Sequence, residues 1–144
     1  MRQVDFIVIH CTGAPQTQTI PIILGFWKNV LKWKNVGYNK IIHANGNVTE
    51  LATPEKITNG VAGKNSKSYH ICYIGGQFGK DNRTDSQKKS LLSEIKKAKK
   101  LFPNAVVLGH RDLSPDLNND NIIQPNEWTK ACPSFDAKKE YQNV

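Results

Sequence analysis

Val4-Asp5-Phe6-Ile7-Val8-Ile9-His10 opens the chain as an apolar, β-branched run and reads as a buried strand. His10 closes it and Cys11 follows. Side chains alternate along a strand, so His10 and Cys11 point to opposite faces and cannot both bind one ion unless the strand ends there. Beyond the Gly13-Ala14-Pro15 loop, Thr19 can cap a helix with Pro21 in its first turn. Ile23, Phe26, Trp27 and Val30 then lie at helical spacing. Val36 to His43 reads as a second strand. Asn45-Gly46 is a hairpin turn signal leading into Val48-Thr49-Glu50-Leu51.

Thr53 to Ser68 is polar and turn-rich, and Tyr69 to Ile74 is a third strand ended by Gly75-Gly76. Thr84-Asp85-Ser86-Gln87 is a capping box that opens a helix through about Leu101. Leu91, Leu92, Ile95, Ala98 and Phe102 form its apolar stripe, and lysines occupy most of the other face. Pro103-Asn104 stops it. Ala105 to Leu108 is a fourth strand that delivers Gly109-His110 at its end. Leu113 to Asn126 is a long loop with two prolines and an Asn-Asn-Asp-Asn run, and Asp136 to Tyr141 reads as a short terminal helix. There are no internal repeats and no linker. Strands alternating with helices imply an α/β fold, a central mixed β-sheet flanked by helices, in a single domain over residues 1–144.

A chain of 144 residues can bury a core without disulfides. Cys11, Cys72 and Cys132 are odd in number and widely spaced, which is no disulfide framework and suits synthesis in a reducing compartment. The N-terminus lacks a signal-peptide pattern, and the longest apolar stretch, Ile20 to Trp27, is too short to span a bilayer. The expectation is synthesis in the cytoplasm, with another route to any target outside it. The net charge of +8 fits either a solvated lysine surface or an anionic partner, such as nucleic acid or a bacterial wall polymer. Much of it sits on Lys88, Lys89, Lys96, Lys97, Lys99 and Lys100, in the helix after the capping box. That helix has no aromatic residue before Phe102, so no nucleic-acid partner is expected.

Three distant segments carry ligand chemistry: the strand ending at His10, the Gly109-His110-Arg111-Asp112 tetrad, and Lys130-Ala131-Cys132-Pro133-Ser134-Phe135-Asp136. Two histidines and a cysteine are a zinc ligand set that leaves a fourth tetrahedral position open. On the residues alone, a histidine at a strand end is equally a structural side chain. No short regular motif links the three.

Ile7-Val8-Ile9-His10-Cys11-Thr12, Val36-Gly37-Tyr38, Ile74-Gly75-Gly76, Gly109-His110-Arg111-Asp112 and Ala131-Cys132-Pro133-Ser134-Phe135-Asp136 occur in this order in zinc-dependent N-acetylmuramoyl-L-alanine amidases. The chain resembles the type-2 amidase family from about residue 4 to residue 141, in the pattern of small phage lysozymes that are amidases. The peptidoglycan recognition proteins of animals share that fold. The resemblance implies an open groove across one face and zinc held by His10, His110 and Cys132, with water as fourth ligand. Cys132 stands where cytosolic recycling amidases carry an aspartate, and Asp136 matches a position that is not a ligand. Lys130 matches the family's catalytic lysine, with the role of stabilising the tetrahedral oxyanion. Tyr38 matches its active-site tyrosine, with the role of orienting the attacking water or relaying a proton. Asn65, in an Asn-x-Ser-like stretch, matches a groove-lining substrate contact. The implied reaction cleaves the bond between the N-acetylmuramic lactyl group and L-alanine of the peptidoglycan stem peptide. A phage or prophage lysin or a bacterial autolysin, acting as a monomer, fits the chain.

Three positions depart from the pattern. Asn39 stands where relatives carry histidine, His70 where they carry a small residue, and no histidine lies near Trp27. Three other functions are weighed against the enzyme: a peptidoglycan-binding module without catalysis, which typically lacks the cysteine ligand; a basic nucleic-acid-binding domain; and a cysteine hydrolase using Cys132 and His110. By default Tyr38 is a core or surface aromatic, Cys72 and Cys11 are small buried residues, and His43 is an exposed strand-end side chain.

Overall fold

The apolar run folds as β1, Phe6–Cys11, an interior strand of a five-stranded sheet. The computed structural model describes residues 1–144. The other strands are β2 (Lys40–Ile42), β3 (Val48–Glu50), β4 (Ser68–Tyr73) and β5 (Val106–Gly109), in the order β3-β2-β4-β1-β5. β1 runs parallel to both β4 and β5, β2 runs parallel to β4, and only β3 is antiparallel, paired with β2 through the Asn45-Gly46 hairpin. The sheet is therefore mixed, with four parallel strands and one antiparallel edge strand, and its two inner apolar strands, β4 and β1, are parallel, as buried β-branched runs favour.

Alternation along β1 divides the core. Ile7, Ile9 and Cys11 join Tyr69, Ile71 and Tyr73 of β4 on one face. Leu91, Ile95 and Ala98 of α2 (Asp85–Leu101) and Phe102 cover this face, together with Phe135 and Tyr141 around α3 (Ala137–Glu140). Thr84 and Gln87 close the capping box of α2 in both directions, and Asp136 caps α3 by accepting from the Lys139 N–H. Leu92, expected in the apolar stripe, is 37 % exposed, while Gln87 is buried and bonds the Ile74 carbonyl at 2.8 Å.

On the opposite face, Ile41, Cys72 and Ile74 pack against Ile23 and Trp27. α1 spans only Ile20–Gly25 and passes into a π-helical turn, Phe26–Val30. Of the four residues expected on its buried stripe, Ile23 and Trp27 are buried, whereas Phe26 and Val30 stay half exposed or more. The wider turn rotates them outward. Thr19 occupies the N-cap without a side-chain bond. The expected strand from Val36 begins only at Lys40, because Gly37 lies directly against Trp27 and Asn39 turns its side chain into a loop. No helix is long and apolar enough to cross a membrane.

Candidate metal centre and active-site cleft

Parallel strands that leave a sheet side by side carry their C-terminal residues to one edge. Ile9 pairs with Gly109, so His10 and His110 emerge as neighbours, with ring centroids 4.9 Å apart. The segment carrying Cys132 folds over this edge. Its Pro133 packs on Gly109 so closely that a Cβ there would lie 2.5 Å from the proline ring. The Arg111 N–H donates to the Cys132 carbonyl at 2.8 Å, and the Tyr73 hydroxyl donates to the Pro133 carbonyl at 2.7 Å.

His10, His110 and Cys132 each bring a ligand atom into a group whose members all lie within 4.8 Å of one another. His10 Nδ1 and Cys132 Sγ are 3.8 Å apart. A tetrahedral zinc ion with ordinary bond lengths needs a nitrogen–sulfur separation of roughly 3.5 Å. The donor set and its spacing thus fit zinc with a small contraction. Cys11 lies outside this group: its thiol sits 3.5 Å from Ser134 Oγ, and its N–H donates to Cys132 Sγ at 3.2 Å.

Behind His10 lies a hydrogen-bonded chain that fixes its protonation. The Val61 N–H donates to Asn65 Oδ1 at 2.8 Å, which identifies that atom as an acceptor. His70 Nε2, 3.0 Å from the same oxygen, must then carry the proton. His70 Nδ1 is left to accept from His10 Nε2–H at 2.8 Å, and His10 Nδ1 presents its lone pair toward Cys132. Asn65 therefore stands behind the cluster, with its carboxamide oxygen turned toward His70. His70 fits because Gly60 has no side chain: a Cβ there would lie 2.5 Å from His70 Nδ1. Asn39, fully buried, accepts from the His70 backbone N–H and from Thr58, and donates to the Thr53 and Lys56 carbonyls.

The sequence marks His70 and Asn39 as departures from the family pattern but does not show what either contacts. A signal for His70 was present: it is a histidine inside an apolar strand, two positions from Cys72 and so on the same face. His43 donates to or accepts from Thr49 Oγ1 at 2.7 Å, away from the cluster.

Burial drives the His10 imidazole well below its ordinary pKa, with His70, His110 and Lys130 adding to the shift. His70 is pushed down to about 3 by burial, and His110 to about 4 by burial and Lys130. The three rings are neutral at pH 7, as metal ligation requires. The unfolded chain titrates these groups near pH 6.5 and binds protons that the folded chain refuses. Stability of the metal-free chain should therefore fall as pH drops from about 6.5 toward 4. Denaturant midpoints measured from about pH 7 to about pH 5, above most carboxylate titrations, check this. A flat profile there would contradict neutral buried histidines.

Burial also pushes the Cys132 thiol up, so its thiolate calls for a cation beside it.

The cluster opens into a cleft of about 360 Å³. Thr12, His110, Lys130 and Cys132 line its polar side, and Trp27, Trp33 and Phe26 its apolar side. Tyr38 joins the two, its ring 4.7 Å from His10 and 5.3 Å from Trp27. Burial holds its phenol well above the ordinary value, so it is a proton-bearing donor. Phe78, 85 % exposed, stands at the rim. The lysines of α2 lie across the sheet from His10, since α2 covers the face that Ile7 and Ile9 share.

A sequence profile of N-acetylmuramoyl-L-alanine amidases matches residues 1–134. The chain belongs to that amidase family. The endolysin of Klebsiella phage KP32 is 29 % identical over 146 aligned positions, covering 98 % of this chain and 87 % of that one. The endolysin of the Thermus scotoductus bacteriophage Ph2119 superposes with a TM-score of 0.73 at 23 % identity, over 92 % of this chain and 79 % of that one. Bumblebee PGRP-SA superposes with a TM-score of 0.77 at 19 % identity, over 99 % and 83 %. The two structural likenesses show that this amidase shares its mixed-sheet fold with endolysins and peptidoglycan recognition proteins.

Proposed function

We propose that this amidase is a zinc-dependent peptidoglycan hydrolase that cleaves the amide between N-acetylmuramic acid and L-alanine of the stem peptide. The observation that carries the reading is the His10, His110 and Cys132 group beside an open cleft, which His110 and Cys132 line, in a chain of the amidase family. Similarity to phage endolysins supports wall lysis as the role, and the net charge of +8 suits an anionic wall.

His10, His110 and Cys132 would hold the zinc. Bound there, zinc supplies Lewis acidity, which polarises a carbonyl and lowers the pKa of water from about 15.7 to about 7. The chain's own residues supply the rest. Lys130, at the cleft wall, carries the positive charge that meets the oxyanion developing on the scissile carbonyl. Tyr38 keeps its proton and stands beside His10, where its hydroxyl can orient the attacking water and pass a proton toward the leaving amine. Neither ligand histidine can serve as the acid, because both are held neutral. Trp27, Trp33 and Phe26 give the substrate an apolar wall that excludes water on one side.

The His70–Asn65 chain is assigned to positioning: it holds the His10 tautomer that leaves Nδ1 free. Asn65→Leu removes the acceptor that orients His70. Zinc affinity should fall about 10- to 100-fold, as for other hydrogen bonds behind a ligand. Asn65→Asp, which keeps an acceptor, should lose far less. Competition against a chromophoric chelator reads both, and equal affinities for all three proteins would remove the positioning role.

The test of the function is product analysis on purified peptidoglycan, with chelator and with zinc added back. Zinc-restored release of peptides bearing new L-alanine amino termini, without new reducing sugar ends, is expected. Wall binding with no cleavage under any metal condition would make the chain a recognition module instead.

A further inference from the structure

The loop between the two arms of the cleft has chemistry that hydrolysis does not use. It runs from Asp116 to Glu127, after the His110 turn and before Lys130. Its sequence is Asp116-Leu117-Asn118-Asn119-Asp120-Asn121-Ile122-Ile123-Gln124-Pro125-Asn126-Glu127. Counted from Asp116, oxygen-bearing side chains stand at positions 1, 3, 5, 9 and 12. Those are the ligand positions of a twelve-residue calcium loop, whose seventh residue adds a main-chain carbonyl and whose sixth must turn sharply. Asn121 holds the sixth place with φ 65°.

The fold brings this pattern together. Carboxylate oxygens of Asp116, Asp120 and Glu127 all lie within 4.8 Å of one another. Asp116 Oδ2 accepts from the Asn121 N–H at 2.7 Å, but Asp116 Oδ1 is shut off from solvent and has no hydrogen-bond partner. A buried carboxylate oxygen left in that state is costly, and a cation is the partner that relieves it. Glu127 is only 4 % exposed, and the N–H groups of Gln124, Leu117 and Asn118 keep it ionised. Residues 113–129 contain three carboxylates and no Lys or Arg, in a chain whose net charge is +8.

We propose that residues 116–127 bind calcium, through the carboxylates of Asp116, Asp120 and Glu127, the Asn118 side-chain oxygen and the Ile122 carbonyl. The donors are all hard oxygens, which separates this site from the nitrogen and sulfur donors at His10, His110 and Cys132. Its ends explain what the ion does. The Thr129 N–H donates to Ser114 Oγ at 3.1 Å, and Arg111 stacks on Trp128 at 4.0 Å, so the loop closes immediately before Lys130 and Cys132. Calcium in the loop fixes the segment that carries both residues. The proposal stands whether or not the cleft hydrolyses peptidoglycan.

Calorimetric titration of the 144-residue chain with Ca2+ alone, and with Mg2+ alone, tests it, together with Tb3+ luminescence sensitised by Trp128. One Ca2+ per chain is expected, with a dissociation constant below roughly 1 mM. The thermal midpoint should rise with Ca2+ concentration, as for any ligand of the folded state. Asp120→Asn, at an exposed position, should weaken binding at least about tenfold, since ligand charge sets affinity in such loops. Glu127→Gln should do the same, but Glu127 also holds three backbone N–H groups, so the exposed variant keeps the test decisive if the other misfolds. No heat and no midpoint shift at roughly 10 mM Ca2+ would overturn the proposal. So would binding unchanged in Asp120→Asn, or Mg2+ binding as tight as Ca2+.

Discussion

Cys132→Ser is expected to lose zinc and peptidoglycan hydrolysis together while keeping its fold and its affinity for the wall. The side chain is close in size, so Pro133 can still pack on Gly109 and the Arg111 N–H can still reach the residue-132 carbonyl. The ligand chemistry does not survive. A serine hydroxyl does not ionise near neutral pH, whereas a cation beside Cys132 draws its thiol to the thiolate that zinc prefers. The apolar wall of Trp27 and Trp33 is untouched, so wall pull-down should persist. Zinc content, soluble-peptide release and pull-down on one preparation check all three expectations. Zinc retained at one equivalent with activity gone would point to a cysteine nucleophile instead. Burial of Cys132, which disfavours a free thiolate, is the observation that weighs against that mechanism.

Lys130→Ala should lower kcat by about 10²- to 10³-fold, the usual loss for one oxyanion donor, with zinc content unchanged. Lys130 is exposed at the mouth of the cleft, so its removal leaves no buried cavity and stability should barely move. Its charge nevertheless reaches the cluster, since it helps depress both His10 and His110. Substrate binding away from the scissile bond is unaffected, so KM should change much less than kcat. Lys130→Arg, which keeps the charge, should recover part of the loss. A variant with normal kcat would place the oxyanion donor elsewhere and leave Lys130 as a surface charge.

The sheet was readable because β1 and β4 are short apolar runs bounded by turn residues, and α2 because Thr84 and Gln87 announce its start. Asn45-Gly46 marked the one antiparallel pair. The region from Ile20 to Asn39 was less legible. Its apolar residues serve two surfaces, the core through Ile23 and Trp27 and the cleft through Phe26, so no single helical stripe describes it. His10, His110 and Cys132 drew notice as ligand types at strand ends and in a short motif, and the structure brings them to one edge. The role of His70 was not legible. It depends on a contact across β1 and β4, on the absent side chain of Gly60, and on an amide whose orientation is set by Val61. Asn65, matched to substrate by resemblance, places its carboxamide oxygen 3.0 Å from His70 Nε2, a contact that no sequence pattern announced. The Asp116–Glu127 segment read only as a polar loop, because its pattern acquires meaning once the three carboxylates are seen to meet.

The most direct measurement is X-ray absorption at the zinc edge of the purified, zinc-loaded chain, with Cys132→Ser as control. The expected result is one zinc per chain, with two nitrogen neighbours near 2.0 Å, one sulfur near about 2.3 Å and a further oxygen, the sulfur vanishing in the variant. Zinc bound without sulfur, or peptidoglycan cleaved at full rate by a chain stripped of zinc, would contradict a catalytic centre built from His10, His110 and Cys132.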